Sequence, residues 1–172
     1  MKRQFGLLIT VLVFLSACQS NQQIENTFDD AYIADSSDLI FTSPNFSAMH
    51  APPLMAGFAY VETYEKQAFC GGENPPIISK VTITRSNKTQ YSKLPSGEIV
   101  ALIGYHAVGA TGGGLKGATY YSFDIEPNSK YKITVTESRP FVTSYKVAVE
   151  QITEEATASV PLIEDRKNIC AS

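Results

Sequence analysis

Apolar and polar residues alternate along most of the chain beyond residue 54, and this two-residue period is typical of β-strands. Residues 130–137 show it clearly, because Tyr131, Ile133 and Val135 alternate with lysine and threonine. Residues 98–108 are apolar on both alternating sets of positions, as in a central strand with both faces covered. Further strands are predicted over residues 55–64, 77–85, 91–94, 119–125 and 145–150.

Turn-forming sequences separate these strands, and no segment of useful length has the 3.6-residue period of a helix. One such turn, Glu126-Pro127-Asn128-Ser129, carries proline where a tight turn favours it. We therefore predict an all-β fold, an antiparallel β-sandwich (Ig-like or similar) of about six to seven strands.

The segment before the strands is polar and acidic and lacks a clear period. Residues 18–53 also contain a Pro-Pro pair, and together these features favour a flexible tether. One alternative stays open, a short helix or edge strand within residues 28–41, since Leu39 and Phe41 are apolar and could dock on the core. The predicted domains are 1–17, a signal peptide; 18–53, a lipidated N-terminus and acidic tether; and 54–172, the sandwich.

The N-terminus has the three-part layout of a secretory signal: two basic residues, an apolar run and small residues before Cys18. The run over residues 5–15 is too short for a comfortable membrane span, at about 1.5 Å per residue against about 30 Å of hydrocarbon. Leu15-Ser16-Ala17-Cys18 resembles the lipobox of bacterial lipoproteins, in which the cysteine sulfur is acylated and the chain is cut just before it. A plain secretory signal or an uncut anchor helix is the alternative.

The lipobox resemblance implies a membrane anchor of acyl chains, palmitate among them, on Cys18. In such lipoproteins an Asp directly after the cysteine commonly retains the protein in the inner membrane, whereas this chain has Gln19. The resemblance therefore implies the outer membrane, with the domain in the periplasm or at the cell surface. Residues 94–98 and 121–131 also resemble the Leu-Pro-x-Gly and turn-Lys-Tyr rhythm of small periplasmic β-sandwich lipoproteins, which implies a fold class and no activity.

Cys70 and Cys170 remain after Cys18 is assigned to the lipid. Two thiols in a non-reducing envelope compartment predict one disulfide, which ties the C-terminal tail to the first third of the chain. A redox or metal cysteine is the alternative, but the chain has no Cys-x-x-Cys pair and only His50 and His106 to assist.

Charge is uneven along the mature chain, which has 12 basic side chains against 17 acidic ones once the signal is removed. Residues 18–65 hold seven acids and no Lys or Arg, whereas residues 66–149 hold ten bases and five acids. These bases are scattered singly, without the clusters of a nucleic-acid interface, so no nucleic-acid partner is expected. Residues 66–149, which carry a net positive charge, form either a solvated surface or a face for an anionic envelope partner.

A glycine-rich segment is the candidate binding loop. Its members are Gly109, Thr111, Gly112, Gly113, Gly114 and Lys116. A phosphate-binding loop needs Gly-Lys-Ser/Thr in sequence at a helix N-terminus, and here Leu115 separates the glycine from the lysine between two strands. We interpret the segment as a long hairpin loop, either merely flexible or a mobile recognition loop.

His106 lies in the apolar strand before this loop and is the candidate catalytic histidine. Nucleophilic catalysis would also need a Ser or Cys and an orienting carboxylate such as Asp124, and no local signature selects them. Two isolated histidines predict no metal site, and no cofactor motif is present. We therefore interpret His106 as structural and the protein as a non-enzyme.

The chain has nine tyrosines, and those that do not face the core are the remaining binding resource. The candidates for an exposed strand face are Tyr60, Tyr64, Tyr105 and Tyr120. Such side chains could form a binding surface for a protein edge or a glycan.

Together these features predict an outer-membrane-anchored lipoprotein that acts as a non-catalytic binding or assembly accessory module of the bacterial cell envelope. Its partners would be the membrane, through Cys18, and an envelope protein or glycan. Two alternatives stay open: an envelope hydrolase that uses His106, and a structural or inhibitory lipoprotein. The sequence does not indicate an oligomeric state.

Overall fold

The computed structural model describes residues 26–44, 56–84, 86–108, 114–139 and 142–172. These ranges contain eleven strands, two short helices and a 3₁₀ turn over Asp30–Tyr32. The strands are β1 (Thr27–Phe28), β2 (Ser37–Thr42), β3 (Ala56–Glu65), β4 (Ser79–Thr84), β5 (Thr89–Leu94), β6 (Gly97–Val108), β7 (Gly114–Ile125), β8 (Lys130–Arg139), β9 (Val142–Ile152), β10 (Thr157–Ser159) and β11 (Ile163–Glu164). The helices are α1 (Lys66–Gly71) and α2 (Arg166–Ile169).

The strands form two sheets that pack face to face. One has six strands in the order β1-β4-β3-β6-β7-β11, and the other has five in the order β10-β9-β8-β2-β5. The pairings within the described ranges are antiparallel, except that β2 and β8 run parallel. The predicted all-β sandwich is confirmed. The seven predicted strands are present as β3 to β9, and β1, β2, β10 and β11 add four more.

The core lies between the inner faces of the two sheets and follows the alternation of the sequence. In β8, Tyr131, Ile133 and Val135 are at most 3% exposed, as their period predicted. Strand β6 is central, and Val100 and Ile103 are fully buried on its opposite faces. Because each fully buried side chain of this size contributes about 1.5–3 kcal/mol, this set supplies much of the driving force for folding.

The position of β2 corrects the domain boundary that was predicted at residue 54. This strand lies inside the five-stranded sheet between β5 and β8, and Leu39 and Phe41 are buried in the core. Its first residue, Ser37, donates its hydroxyl hydrogen to the Glu126 carbonyl and accepts from the Ser129 backbone N–H at 3.1 Å. A docked strand, the alternative to a tether, therefore describes this segment, and the sandwich begins before residue 54.

The predicted Cys70–Cys170 disulfide is confirmed, with the two Cα atoms 5.5 Å apart. It joins Cys70 of α1, which follows β3, to the residue directly after α2 in the C-terminal tail. The Arg166 guanidinium donates to the carbonyls of Phe69 at 3.0 Å and Gly72 at 2.8 Å, and it lies 4.8 Å from the Phe69 ring centroid. We call α1, α2 and the disulfide between them the latch.

The disulfide joins cysteines that are 100 residues apart, so its removal is expected to destabilise the protein strongly. We expect Cys70→Ser combined with Cys170→Ser to lower the free energy of unfolding by about 2–5 kcal/mol, because the unfolded chain gains conformational entropy. Guanidinium denaturation measures this loss, and Cys18→Ser is the control that keeps the disulfide. A loss below about 1 kcal/mol would contradict a stabilising role for the crosslink.

Two buried serines provide a matched test of hydrogen bonding in the six-stranded sheet. The Ser122 hydroxyl donates to the Ile99 carbonyl at 3.0 Å, whereas the Ser79 hydroxyl has no partner among the residues that the structure describes. Both side chains are 1% exposed. We expect Ser122→Ala to lower the free energy of unfolding by about 1 kcal/mol and Ser79→Ala to leave it unchanged or raise it. Equal losses in chemical denaturation would contradict this difference.

Candidate binding site

Aromatic side chains of β3 lie on the outer face of the six-stranded sheet, which points away from the five-stranded sheet. Phe58, Tyr60 and Tyr64 alternate with Ala59 and Val61, which are fully buried in the core. Because successive side chains of a strand point to opposite faces, the aromatic set lies outside the sandwich. An apolar face of this kind is either covered by other parts of the chain or available for binding.

The latch covers one half of this outer face. Tyr64, Phe69, Val100 and Ile169 form a second buried cluster, distinct from the core between the sheets. The centroid of the Phe69 ring lies 4.9 Å from that of Tyr120 and 5.8 Å from that of Tyr64. This half of the face therefore belongs to the folded interior.

The other half of the face remains open and forms a space of about 510 Å³, which we call the outer trough. Its volume lies in the range of about 300–1,000 Å³ that is usual for small-ligand sites. Its lining residues are Phe58, Tyr60, Glu62, Lys80, Tyr105, Gly117 and Ala118. Strands β3, β4, β6 and β7 thus contribute to one continuous surface.

The Tyr60 ring lies along the sheet surface because the neighbouring strand has a glycine beneath it. Tyr60 of β3 pairs with Gly104 of β6. A Cβ atom at Gly104 would lie 2.8 Å from both Cζ and Oη of Tyr60, which is closer than Cβ contacts occur. The far end of the ring therefore rests on the β6 backbone, while the side chain stays partly exposed to the trough.

Tyr105 uses a glycine in the same way on the opposite face of the sheet. It pairs with Gly117 of β7, where a Cβ atom would lie 2.7 Å from Cε1 of the tyrosine. Its ring packs edge-on against Tyr145 in the core, with the centroids 5.3 Å apart. Two glycines on neighbouring strands therefore allow one tyrosine to lie flat on each face of the sheet.

A charged pair closes one end of the outer trough. Lys80 Nζ donates to Glu62 Oε1 at 2.6 Å, and the Tyr64 hydroxyl donates to Glu62 Oε2 at 3.0 Å. The side chain of Glu62 is 13% exposed and that of Lys80 is 43% exposed, so the ammonium group is the more accessible partner. A carboxylate has about four lone-pair sites, and Glu62 therefore retains acceptor capacity beside the remaining N–H donors of Lys80.

The surroundings of Tyr60 and Tyr64 keep both phenols neutral. Burial, followed by the nearby Glu62 carboxylate, raises the pKa of Tyr60. Burial and the charge and hydrogen bond of Glu62 also raise the pKa of Tyr64. Tyr64 therefore remains a hydrogen-bond donor that holds Glu62, and it links the latch to the trough.

The structure separates the four tyrosines that were predicted to form one binding surface. Tyr60 is partly exposed in the outer trough. Tyr64 and Tyr120 share its face but pack against Phe69 of the latch, whereas the ring of Tyr105 packs in the core. The prediction is therefore wrong for Tyr64 and Tyr105 as accessible side chains, since each is 7% exposed, although Tyr105 still borders the outer trough.

The candidate loop falls only partly within the described residues. Cys18, Gly109, Thr111, Gly112 and Gly113 lie outside them. Gly114 and Lys116 belong to β7, in backbone register with Val108 and His106 of β6. The loop prediction is therefore wrong over residues 114–117, which are strand because their ladder with β6 compensates for the low strand propensity of glycine.

Sequence reasoning missed the residues that give the outer trough its shape and chemistry. Glu62, Lys80 and Gly104 lie within predicted strands, and no sequence motif marks them as site residues. The spacing of Phe58, Tyr60 and Glu62 at every second position was a readable signal for a shared face. The spacing does not indicate which residues of β4 and β6 lie beside Glu62 and Tyr60, because that depends on the register between strands.

Comparisons with known proteins show no relative: the chain matches no protein-family model, no curated protein and no solved structure. In the described ranges, no helix has the length and apolar character needed to cross a membrane. The same ranges contain no group of three or more His, Cys, Asp or Glu side chains placed to hold a metal ion.

The close approach of Tyr60 to Gly104 predicts that a methyl group at position 104 destabilises the fold. We expect Gly104→Ala to lower the free energy of unfolding by about 1–3 kcal/mol, because the new Cβ would also lie 2.8 Å from the Gly117 carbonyl oxygen. Chemical denaturation measures the loss, and the NMR signals of the Tyr60 ring report its displacement. Gly71→Ala is the matched control, because its Cβ would meet nothing within 4 Å. Equal effects of the two variants would contradict the packing argument.

Proposed function

We propose that this protein is a lipoprotein anchored in the bacterial outer membrane through Cys18, and that its sandwich is a non-catalytic binding or assembly module of the cell envelope. The observation that carries the binding role is the outer trough, where Tyr60 lies partly exposed beside the Glu62–Lys80 pair. Concave surfaces with aromatic walls and a few polar groups are typical of ligand sites.

Two features support a location in the envelope. The lipobox at residues 15–18 supplies the anchor, and the Cys70–Cys170 disulfide is of a kind that persists in oxidising compartments. Both features belong to the same chain and point to export from the cytoplasm.

The sandwich would lie close to the membrane. The Asn26 side chain accepts a hydrogen bond from the Thr82 backbone N–H at 3.0 Å, so the sandwich already includes this residue. Only residues 19–25 separate it from Cys18, and a fully extended chain of that length reaches about 30 Å at most. The partner of the outer trough would therefore lie at or near the membrane surface.

The charges of the outer trough favour binding over proton transfer. Glu62 accepts from both Lys80 and Tyr64, so its carboxylate is held in one orientation by two donors. Groups fixed in this way orient a ligand through hydrogen bonds. This arrangement supports a binding module.

Crosslinking and affinity capture from intact envelopes test this proposal. We expect the wild-type protein to carry lipid and to bring down a stoichiometric partner, protein or saccharide, and Tyr60→Ala to reduce its recovery about tenfold. Tyr91→Ala is the matched control, because Tyr91 is 72% exposed on β5 of the other sheet. Intact mass measured for the wild type and for Cys18→Ala reports the anchor.

Each other outcome contradicts a specific part of the proposal. Equal recovery by Tyr60→Ala and wild type would show that the outer trough is not the binding site. A lipidated protein that captures nothing would favour the structural or inhibitory alternative. A mature wild-type chain without lipid would contradict the anchor on Cys18.

A further inference from the structure

We propose that the outer trough binds a neutral saccharide. In this arrangement the Tyr60 ring stacks on the apolar C–H face of one sugar ring, while Glu62 and Lys80 exchange hydrogen bonds with its hydroxyl groups. The inference rests on the proposed binding role and names the chemical class of its ligand.

The first observation is the orientation of the Tyr60 ring. Cζ and Oη of Tyr60 lie over the place that a Cβ atom would occupy at Gly104, so the ring leans across the sheet and does not stand upright from it. An upright ring would offer only its edge to a ligand. A pyranose ring has a flat C–H face that matches an exposed aromatic face in size and polarity.

The second observation is the hydrogen-bonding capacity at the end of the trough. Glu62 supplies acceptor oxygens and Lys80 supplies N–H donors, and their bonded atoms lie only 2.6 Å apart. Adjacent hydroxyl groups of a sugar both donate and accept, so one pair of hydroxyls can use both side chains. Burial raises the pKa of Tyr60, so its hydroxyl stays protonated and can also donate.

The third observation is the charge of the site. Among the lining residues that the structure describes, one side chain is acidic and one is basic, and they neutralise each other. An ionic ligand would have to break this pair or leave one of its charges uncompensated. A neutral ligand leaves the pair intact.

Two other classes of ligand fit less well. A peptide strand binds by adding to a sheet edge, whereas the trough lies on the face of β3, β6 and β7, whose backbone groups are already paired in ladders. An acyl chain would press against the Glu62–Lys80 pair and desolvate it without offering a hydrogen bond.

Calorimetric titration with three neutral hexasaccharides tests the inference. The probes are cellohexaose and chitohexaose, which are extended and flat, and maltohexaose, which is curved. The wild-type lipidated protein is used in a detergent without a sugar headgroup, so that the detergent does not compete. We expect at least one extended probe to bind, with an affinity that salt hardly changes because no net charge is involved.

Substitutions at position 60 separate stacking from simple apolar contact. Tyr60→Leu keeps apolar bulk but removes the aromatic face, and we expect it to weaken binding about tenfold. Tyr60→Phe keeps the face and should retain most of the affinity. Tyr91→Leu, on the exposed part of β5, is the control and should bind as the wild type does.

A second variant guards against a folding defect at position 60. Glu62→Gln keeps the shape of the side chain but loses the charge that orients Lys80, and we expect several-fold weaker binding with an unchanged fold. Failure of all three probes to bind would overturn the inference, as would equal binding by Tyr60→Leu and wild type. A steep loss of affinity with salt would also overturn it, because that result identifies an ionic ligand.

The outcomes distinguish this inference from the proposed function. If no saccharide binds while capture from envelopes still depends on Tyr60, the saccharide inference fails and the binding module stands. If a saccharide binds in a Tyr60-dependent way while capture from envelopes does not depend on Tyr60, the saccharide inference stands and the envelope role assigned to the trough fails.

Discussion

The six-stranded sheet carries apolar side chains on both faces, but a two-sheet sandwich covers only one of them. The five-stranded sheet buries the inner face, where Ile103 and Val61 lie. Part of the second face is covered by α1 and α2, which bury Val100 against Phe69 and Ile169. Helices of six and four residues have little stability of their own, so the disulfide and Arg166 hold them in place. The disulfide-linked latch therefore buries apolar side chains on the face that the five-stranded sheet does not cover.

The outer trough exists where this cover ends. Tyr64 belongs to both regions, since its ring packs against Phe69 in the latch and its hydroxyl holds Glu62 in the trough. The crosslink thus supports the geometry of the neighbouring charged pair through a single side chain. A site whose groups are held before the ligand arrives loses less conformational entropy on binding. Such preorganisation suits a recognition module on a rigid sheet more than a site on a mobile loop.

The proposed anchor also limits how far from the membrane the sandwich can lie. Because Asn26 is bonded to the sandwich, the acyl group proposed on Cys18 would keep this point of the sandwich within about 30 Å of the lipid. A saccharide or envelope protein that meets the trough would therefore be bound beside the membrane. The Glu62–Lys80 pair has no net charge, so the proposed site would select its ligand through hydrogen bonds and stacking, which depend on shape more than a net charge does.

The sequence by itself determined what depends on near neighbours. Strand period is local, so β3 to β9 and the inward set of β8 were predictable, and two remaining cysteines were enough to predict their bond. The sequence was misleading for β2, whose short apolar run lies in an acidic segment. It was also misleading for residues 114–117, whose glycines are typical of a loop. Only the tertiary structure decided that Tyr60 would meet Gly104 and that Glu62 would meet Lys80. Those cross-strand contacts depend on the register between strands, and register is set by the packing of the whole sandwich.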